Sequence, residues 1–163
     1  MRRRIYIEST IPSFYHEVRT DPEMAARRLW TREGWDEQRQ HYEVITSLAV
    51  LEELGRGEHP RKSEVLDLVA GLSLLPVVDA TIEIANTYIE RHVMPADPRG
   101  DALHLALASY HRCHFLLTWN CVHLANANKF EHIRHVNMLL GISVPALVTP
   151  VELLNWEGVD HEA

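Results

Sequence analysis

The chain has 163 residues, 46% of them apolar and 24% charged, with a net charge of −7. That is the size and mix of one ordinary soluble domain, and no apolar run approaches the roughly 20 residues that span a bilayer. The negative balance argues against a protein that coats nucleic acid by bulk attraction, though not against a nuclease, whose metal-binding carboxylates are themselves negative.

Two cysteines, Cys113 and Cys121, fit neither a disulfide framework nor a Cys-x-x-Cys metal site. A reducing, cytoplasmic setting is therefore expected. The basic start Met1 to Arg4 is followed by too few apolar residues for a signal peptide. With no repeat or linker in view, residues 1–150 are read as a single domain and 151–163 as an acidic C-terminal tail.

Arg4 to Ile7 is a short apolar run with β-branched and aromatic residues, the pattern of a strand buried on both faces. It runs straight into Glu8, Ser9 and Thr10. Ligand sites in open α/β sheets lie outside the carboxyl ends of such strands. Glu8 thus stands where chemistry is usually placed, or else it is a loop carboxylate helping to cap the next helix. Ser9 or Thr10 is the expected cap of a helix to about Val18.

Asp21 and Pro22 read as cap and first position of a second helix that fades near Gln40. Its basic residues Arg27, Arg28, Arg32 and Arg39 read as a solvated face. Trp30 and Trp35 on it are candidates for a surface that meets a partner. Tyr42 to Thr46 is a strand, and Ser47 opens a helix over Leu48 to Leu54 that stops at Gly55 and Gly57. Another helix spans about Arg61 to Ala70.

Leu74 to Val78 reads as a strand, and Asp79 as the cap of a helix to about Arg91. Asp97 and Pro98 repeat the cap-plus-proline pattern, so Asp97 is read as a cap although it lies near Asp101. The helix from Arg99 to His111 is apolar almost all round and should be buried. Phe115 to Thr118 is a strand, a helix runs from about Lys129 to Gly141, and Ser143 to Thr149 is a last strand. Pro145 cannot donate to a ladder, which places that strand at a sheet edge. Alternating strands and helices imply a three-layer α/β/α sandwich around a mainly parallel sheet of four or five strands.

Three acids sit where a core would not want them. Glu8 ends a strand, Glu53 lies on the helix after the second strand, and Asp101 opens the most buried helix. A buried carboxylate must be paired, protonated or metal-bound. Taken singly each has a structural reading; an acid in a helix's first turn, like Asp101, is favoured by the dipole. Asn120 follows a strand and converges on the same sheet end. Such oxygens together suit a hard divalent cation, and Mg²⁺ needs only a few protein ligands because it keeps several waters.

Glu52 competes with Glu53, but adjacent helix residues point about 100° apart, so both cannot face one site. His104, three residues after Asp101, could contact a phosphate or act as an acid, or could be hydrogen-bonded near the core. Among the eleven histidines, pairs such as His111 and His114 or His132 and His135 lack the carboxylate or cysteine support that zinc needs. Asn126 and Asn128 read as turn and cap residues. Trp119 could stack on a base or cover the core. Ser9 and Thr118 could orient carboxylates, or simply cap and turn.

Taken in order, Ile5 to Thr10, the run SLAVLEEL over Ser47 to Leu54, the run DALHLALA over Asp101 to Ala108, and Leu116 to Asn120 resemble the PIN domain, and within it the VapC-type toxin ribonucleases. The resemblance covers about residues 4–150. It implies an α/β/α fold, Mg²⁺- or Mn²⁺-dependent endoribonuclease activity on RNA, a cognate antitoxin and a homodimer. The family's four acidic positions fall on Glu8, Glu53, Asp101 and Asn120. Two depart from the usual pattern. Glutamate replaces aspartate at position 8, and an amide replaces a carboxylate at position 120, which removes one negative charge from the site. The alternative these departures raise is a PIN-like module that binds RNA or a protein without cutting; a Mg²⁺-dependent phosphatase is a further one.

Overall fold

Five parallel strands are laid side by side in the order β3-β2-β1-β4-β5. They are β1 (Arg3–Ile7), β2 (Tyr42–Ser47), β3 (Ser73–Leu75), β4 (Phe115–Leu117) and β5 (Ala146–Val148). This computed structural model describes residues 2–96 and 100–153. The expectation of a cap at Asp97 and Pro98, and most of the tail, lie outside the described residues.

β1 is the central strand, and its carboxyl half is fully buried, with Tyr6 and Ile7 at 0% and 1% exposure. Ile5 pairs with Val44 of β2 on one side and with Phe115 of β4 on the other. Side chains alternate between the two faces of a strand. Ile5 and Ile7 face Thr31 and Trp35, and Tyr6 faces the opposite layer, where it meets His104.

The connections fill both faces. Between β1 and β2 come α1 (Thr10–Tyr15) and α2 (Pro22–Glu33), and between β2 and β3 come α3 (Leu48–Arg56) and α4 (Lys62–Val69). α1 packs on α2 and α4, and α3 on α4. Between β3 and β4 come α5 (Asp79–Glu90) and α6 (Asp101–Tyr110), which pack on each other; α7 (Phe130–Leu140) leads to β5. The Tyr88 hydroxyl of α5 donates to the Asn137 side-chain oxygen of α7 at 2.5 Å and lies 3.3 Å from the Ser109 hydroxyl of α6, tying this second layer together. The result is an α/β/α sandwich about an all-parallel sheet.

The direction of strand addition reverses at β1. Leftward steps give β2 and β3, and the chain then crosses to β4 and β5 on the other side. The crevice between the carboxyl ends of β1 and β4 is therefore the topological switch point, where open α/β sheets bind ligands.

Several local expectations are corrected. α1 ends at Tyr15, and Ser9 makes no side-chain capping bond to it. Asp21 does cap α2, accepting from the Met24 N–H, and α2 continues through a wider turn over Gly34–Gln38. α3 runs through Gly55 and stops at Gly57. β3 ends before Pro76, which has no N–H for the ladder. Asp79 is in the first turn of α5 and is not its cap. The Thr81 hydroxyl there accepts from the Val78 N–H and donates to the Val78 carbonyl. β5 is shorter than expected, but it is an edge strand, as Pro145 required.

The tryptophans and one arginine also move inward. Trp35 is 8% exposed, and Trp30 stacks on Trp119 with ring centroids 6.1 Å apart. The pair thus belongs to packing around α2 and not to an open partner surface. Arg27 lies over the rings of Phe14 and Trp119, so its stem and charge cover the core edge instead of a solvated face. Trp119 is itself buried and donates its indole N–H to Thr31, which is the core-covering reading.

Candidate active site: three acids around one buried imidazole

Glu8 leaves the end of β1 and is 3% exposed. Its Oε1 accepts from the Thr10 backbone N–H at 3.0 Å, and also from the Thr10 hydroxyl. The Thr118 hydroxyl, just past β4, bonds to it as well and accepts in turn from the Asn120 N–H at 2.9 Å. Burial pushes the Glu8 carboxyl up from 4.5 to about 7, against the nearby His104 and these hydroxyls, which pull it down.

Glu53 faces the same end of the sheet from α3, whereas Glu52 beside it is exposed. Its carboxylate is clamped on both oxygens. Oε2 accepts from the Ser9 hydroxyl at 2.7 Å, and Oε1 meets His104 Nε2 at 2.7 Å. Ser9 is locally able to cap α1, but a charged acceptor makes the stronger hydrogen bond. The orienting reading therefore holds for both Ser9 and Thr118.

His104 is 1% exposed, and both of its nitrogens are engaged: Nε2 by Glu53 and Nδ1 by the Tyr6 hydroxyl at 2.7 Å. Tyr6 also reaches the Ser47 hydroxyl at 2.8 Å. Burial drives the imidazole's pKa down. The Glu53 hydrogen bond, with the charges of Glu53, Glu8 and Asp101, overcomes that, and the net shift is upward. All three acids thus act on one ring. Burial holds the Tyr6 phenol well above its ordinary value, so it stays a neutral hydroxyl.

Asp101 opens α6 directly after Gly100, whose φ of +120° is a conformation side chains rarely adopt. A Cβ at Gly100 would stand 2.6 Å from Glu53 Oε1 and 3.1 Å from His104 Nε2. The missing side chain is the space the Glu53–His104 pair occupies.

Asn120 donates its amide N–H to Asp101 Oδ2 at 2.9 Å, while its Oδ1 accepts from the backbone N–H groups of Val122 and His123. Two backbone donors on one atom fix that atom as the oxygen. Asn120 therefore orients Asp101 and closes the following turn, with its oxygen already committed. Asn126 accepts from the Asn128 N–H, a capping role. Lys129 is also within electrostatic reach of Asp101; burial lowers its pKa, and Asp101 opposes that.

Glu8, Glu53 and Asp101 come from three separate elements; Glu53 touches His104, and the charges of Glu8 and Asp101 act on the same ring. Tyr6, Ser47, Gly100 and Lys129 join the site without having been singled out in the sequence. The only local signal was the three-residue spacing of Asp101 and His104.

The donor set is all oxygen, the type a Mg²⁺ or Mn²⁺ ion takes. Among the described residues, however, no three His, Cys, Asp or Glu side chains stand close enough together to hold one ion. The described residues therefore offer an ion at most one or two carboxylates and no closed protein cage.

No protein-family model matches this chain, and a search of curated proteins finds no match. No described helix is long and apolar enough to cross a membrane.

Proposed function

We propose that this protein is a Mg²⁺- or Mn²⁺-dependent endoribonuclease, the toxin component of a toxin–antitoxin pair. The observation that carries the reading is the 2.7 Å contact of Glu53 with a buried imidazole near the switch point of a parallel sheet, with the charges of Glu8 and Asp101 acting on the same ring. The resemblance of four ordered motifs to VapC-type PIN domains supports it. A bound divalent ion neutralises charge on a phosphodiester and makes water a better nucleophile.

The chain's own residues divide the remaining work. Glu53 and Asp101, the more accessible acids, hold the ion. Glu8 adds negative charge from beneath, with its orientation fixed by Thr10 and Thr118. Asn120 aims Asp101. Lys129 offers a cation to a phosphate at the same mouth. On this reading the partners are RNA, an antitoxin that covers the site and a second copy of the chain, in the cytoplasm.

The test is Mn²⁺ calorimetry with RNA cleavage on the parent and on Asp101→Asn, which keeps the side chain's shape. Loss of both binding and cutting in the variant is expected. Cleavage by Asp101→Asn at the parental rate would overturn the proposal. A second reading, a module that binds RNA without cutting, draws on the commitment of Asn120 Oδ1 to two backbone amides. It requires RNA binding that persists in EDTA and survives Asp101→Asn.

A further inference from the structure

We propose that His104 is a positioning residue for the acid cluster: its Nε2–H sets the Glu53 carboxylate, and Tyr6, held by Ser47, sets the imidazole. The inference rests on the metal-site reading above for its purpose, and on the hydrogen-bond geometry for its substance.

A carboxylate only accepts, so the 2.7 Å contact to Glu53 requires the proton on His104 Nε2. The other ring nitrogen faces the Tyr6 hydroxyl at 2.7 Å, and that hydroxyl faces Ser47 Oγ at 2.8 Å. Either direction of donation along this chain leaves every atom satisfied. The chain is also anchored in different parts of the fold: β1 supplies Tyr6, the end of β2 supplies Ser47, and α6 supplies His104. Such a ring cannot rotate without breaking a buried hydrogen bond.

Glu53 is the longer and more exposed member of the pair. Its side chain has three rotatable bonds and is 16% exposed, against 1% for His104. Ser9 on one oxygen and His104 on the other leave it one orientation. Gly100 leaves room for that orientation and for no side chain of its own. A carboxylate fixed before the ion arrives does not have to be ordered on binding. Groups that orient metal ligands typically change metal affinity 10–100-fold when removed.

The variants are His104→Leu, His104→Gln and Tyr6→Phe. Glutamine can present an N–H near the place of Nε2, and Tyr6→Phe keeps the core ring while removing only the hydroxyl. The readouts are Mn²⁺ affinity by calorimetry and metal-free crystal structures. His104→Leu is expected to weaken Mn²⁺ about 10–100-fold and to displace the Glu53 carboxylate. Tyr6→Phe should do so to a lesser degree, and His104→Gln should recover most of the affinity. Parental affinity in both His104→Leu and Tyr6→Phe, with Glu53 unmoved, overturns the proposal. If His104→Leu does not fold, Tyr6→Phe and His104→Gln decide it by the same two readouts. A parent that binds no Mn²⁺ sinks the nuclease reading instead. The position of Glu53 in the metal-free variants then decides the positioning role: displaced supports it, unmoved overturns it.

Discussion

Replacing Glu8 with glutamine should make the protein more stable above neutral pH and leave it almost unchanged near pH 5. Burial raises the folded-state pKa of Glu8 from 4.5 to about 7. The folded state therefore holds this proton more tightly than the unfolded chain does. The sign follows directly: the stability Glu8 allows is fully present below 4.5 and is lost as pH rises through 7. At about 1.4 kcal/mol per pH unit, the interval between 4.5 and about 7 corresponds to a loss of about 3 kcal/mol by pH 8. Glutamine stays neutral throughout, and its carbonyl can still accept from Thr10. Any offset from its amide group is independent of pH.

The neighbouring His104 reinforces the trend. Its positive charge helps Glu8 ionise, so its own deprotonation at higher pH makes the buried carboxylate costlier still. Urea unfolding of parent and Glu8→Gln in EDTA, at intervals from pH 5 to 8.5, measures the gap. The expected gap opens with pH to about 3 kcal/mol. Two stability curves that stay parallel across that range would refute the reasoning, because Glu8 would then be ionised without penalty. If the nuclease reading holds, saturating Mn²⁺ should narrow the gap, since the ion's charge offsets that of the ionised Glu8 and so stabilises the folded parent more than Glu8→Gln.

Gly100→Ala should destabilise the protein by roughly 1–3 kcal/mol. It forces a side chain into φ +120° and onto Glu53 Oε1, so thermal unfolding and Mn²⁺ calorimetry should fall together. Tyr88→Phe should cost about 1–3 kcal/mol, because it leaves the Asn137 oxygen in a buried network without its 2.5 Å donor; unchanged denaturation would argue against that network. Cys121 is exposed, whereas Cys113 is 3% exposed and burial holds its thiol up at about 11. A thiol reagent at pH 8 should therefore modify one cysteine in the folded protein and both in urea. Rapid reaction of both under native conditions would contradict the packing around Cys113.

Much of the fold was legible because it depends on near neighbours. The apolar run before Glu8, Asp21 with Pro22, the nearly all-apolar helix after Asp101 and Gly141 at the end of α7 each act through the local backbone. Each appears where the sequence put it. Glu8 at a strand end and Asp101 at a helix start are local positions too, whereas Glu53 was preferred over Glu52 only by the spacing of the family it resembles.

What failed had a competitor elsewhere in the chain. Ser9 could have capped α1 but bonds to Glu53, 44 residues away. Asp79 had the composition of a cap, but the Thr81 hydroxyl satisfies Val78 instead. Trp35 was a candidate for a partner surface, yet the wide turn after α2 places it in the core beneath β1.

By itself, then, the sequence determined the alternation of strands and helices, the burial of β1 and the placing of Glu8 and Asp101 at element ends and of Glu53 on the helix after β2. Local propensity and periodicity suffice for those. Only the tertiary structure decided the strand order, the commitment of the Asn120 oxygen to backbone, and the meeting of Tyr6 with His104 across 98 residues of chain. A hydrogen-bonding side chain carries no local mark of its partner. Which donor meets which acceptor is fixed when strands pair and helices pack, and that is where this site acquires its imidazole.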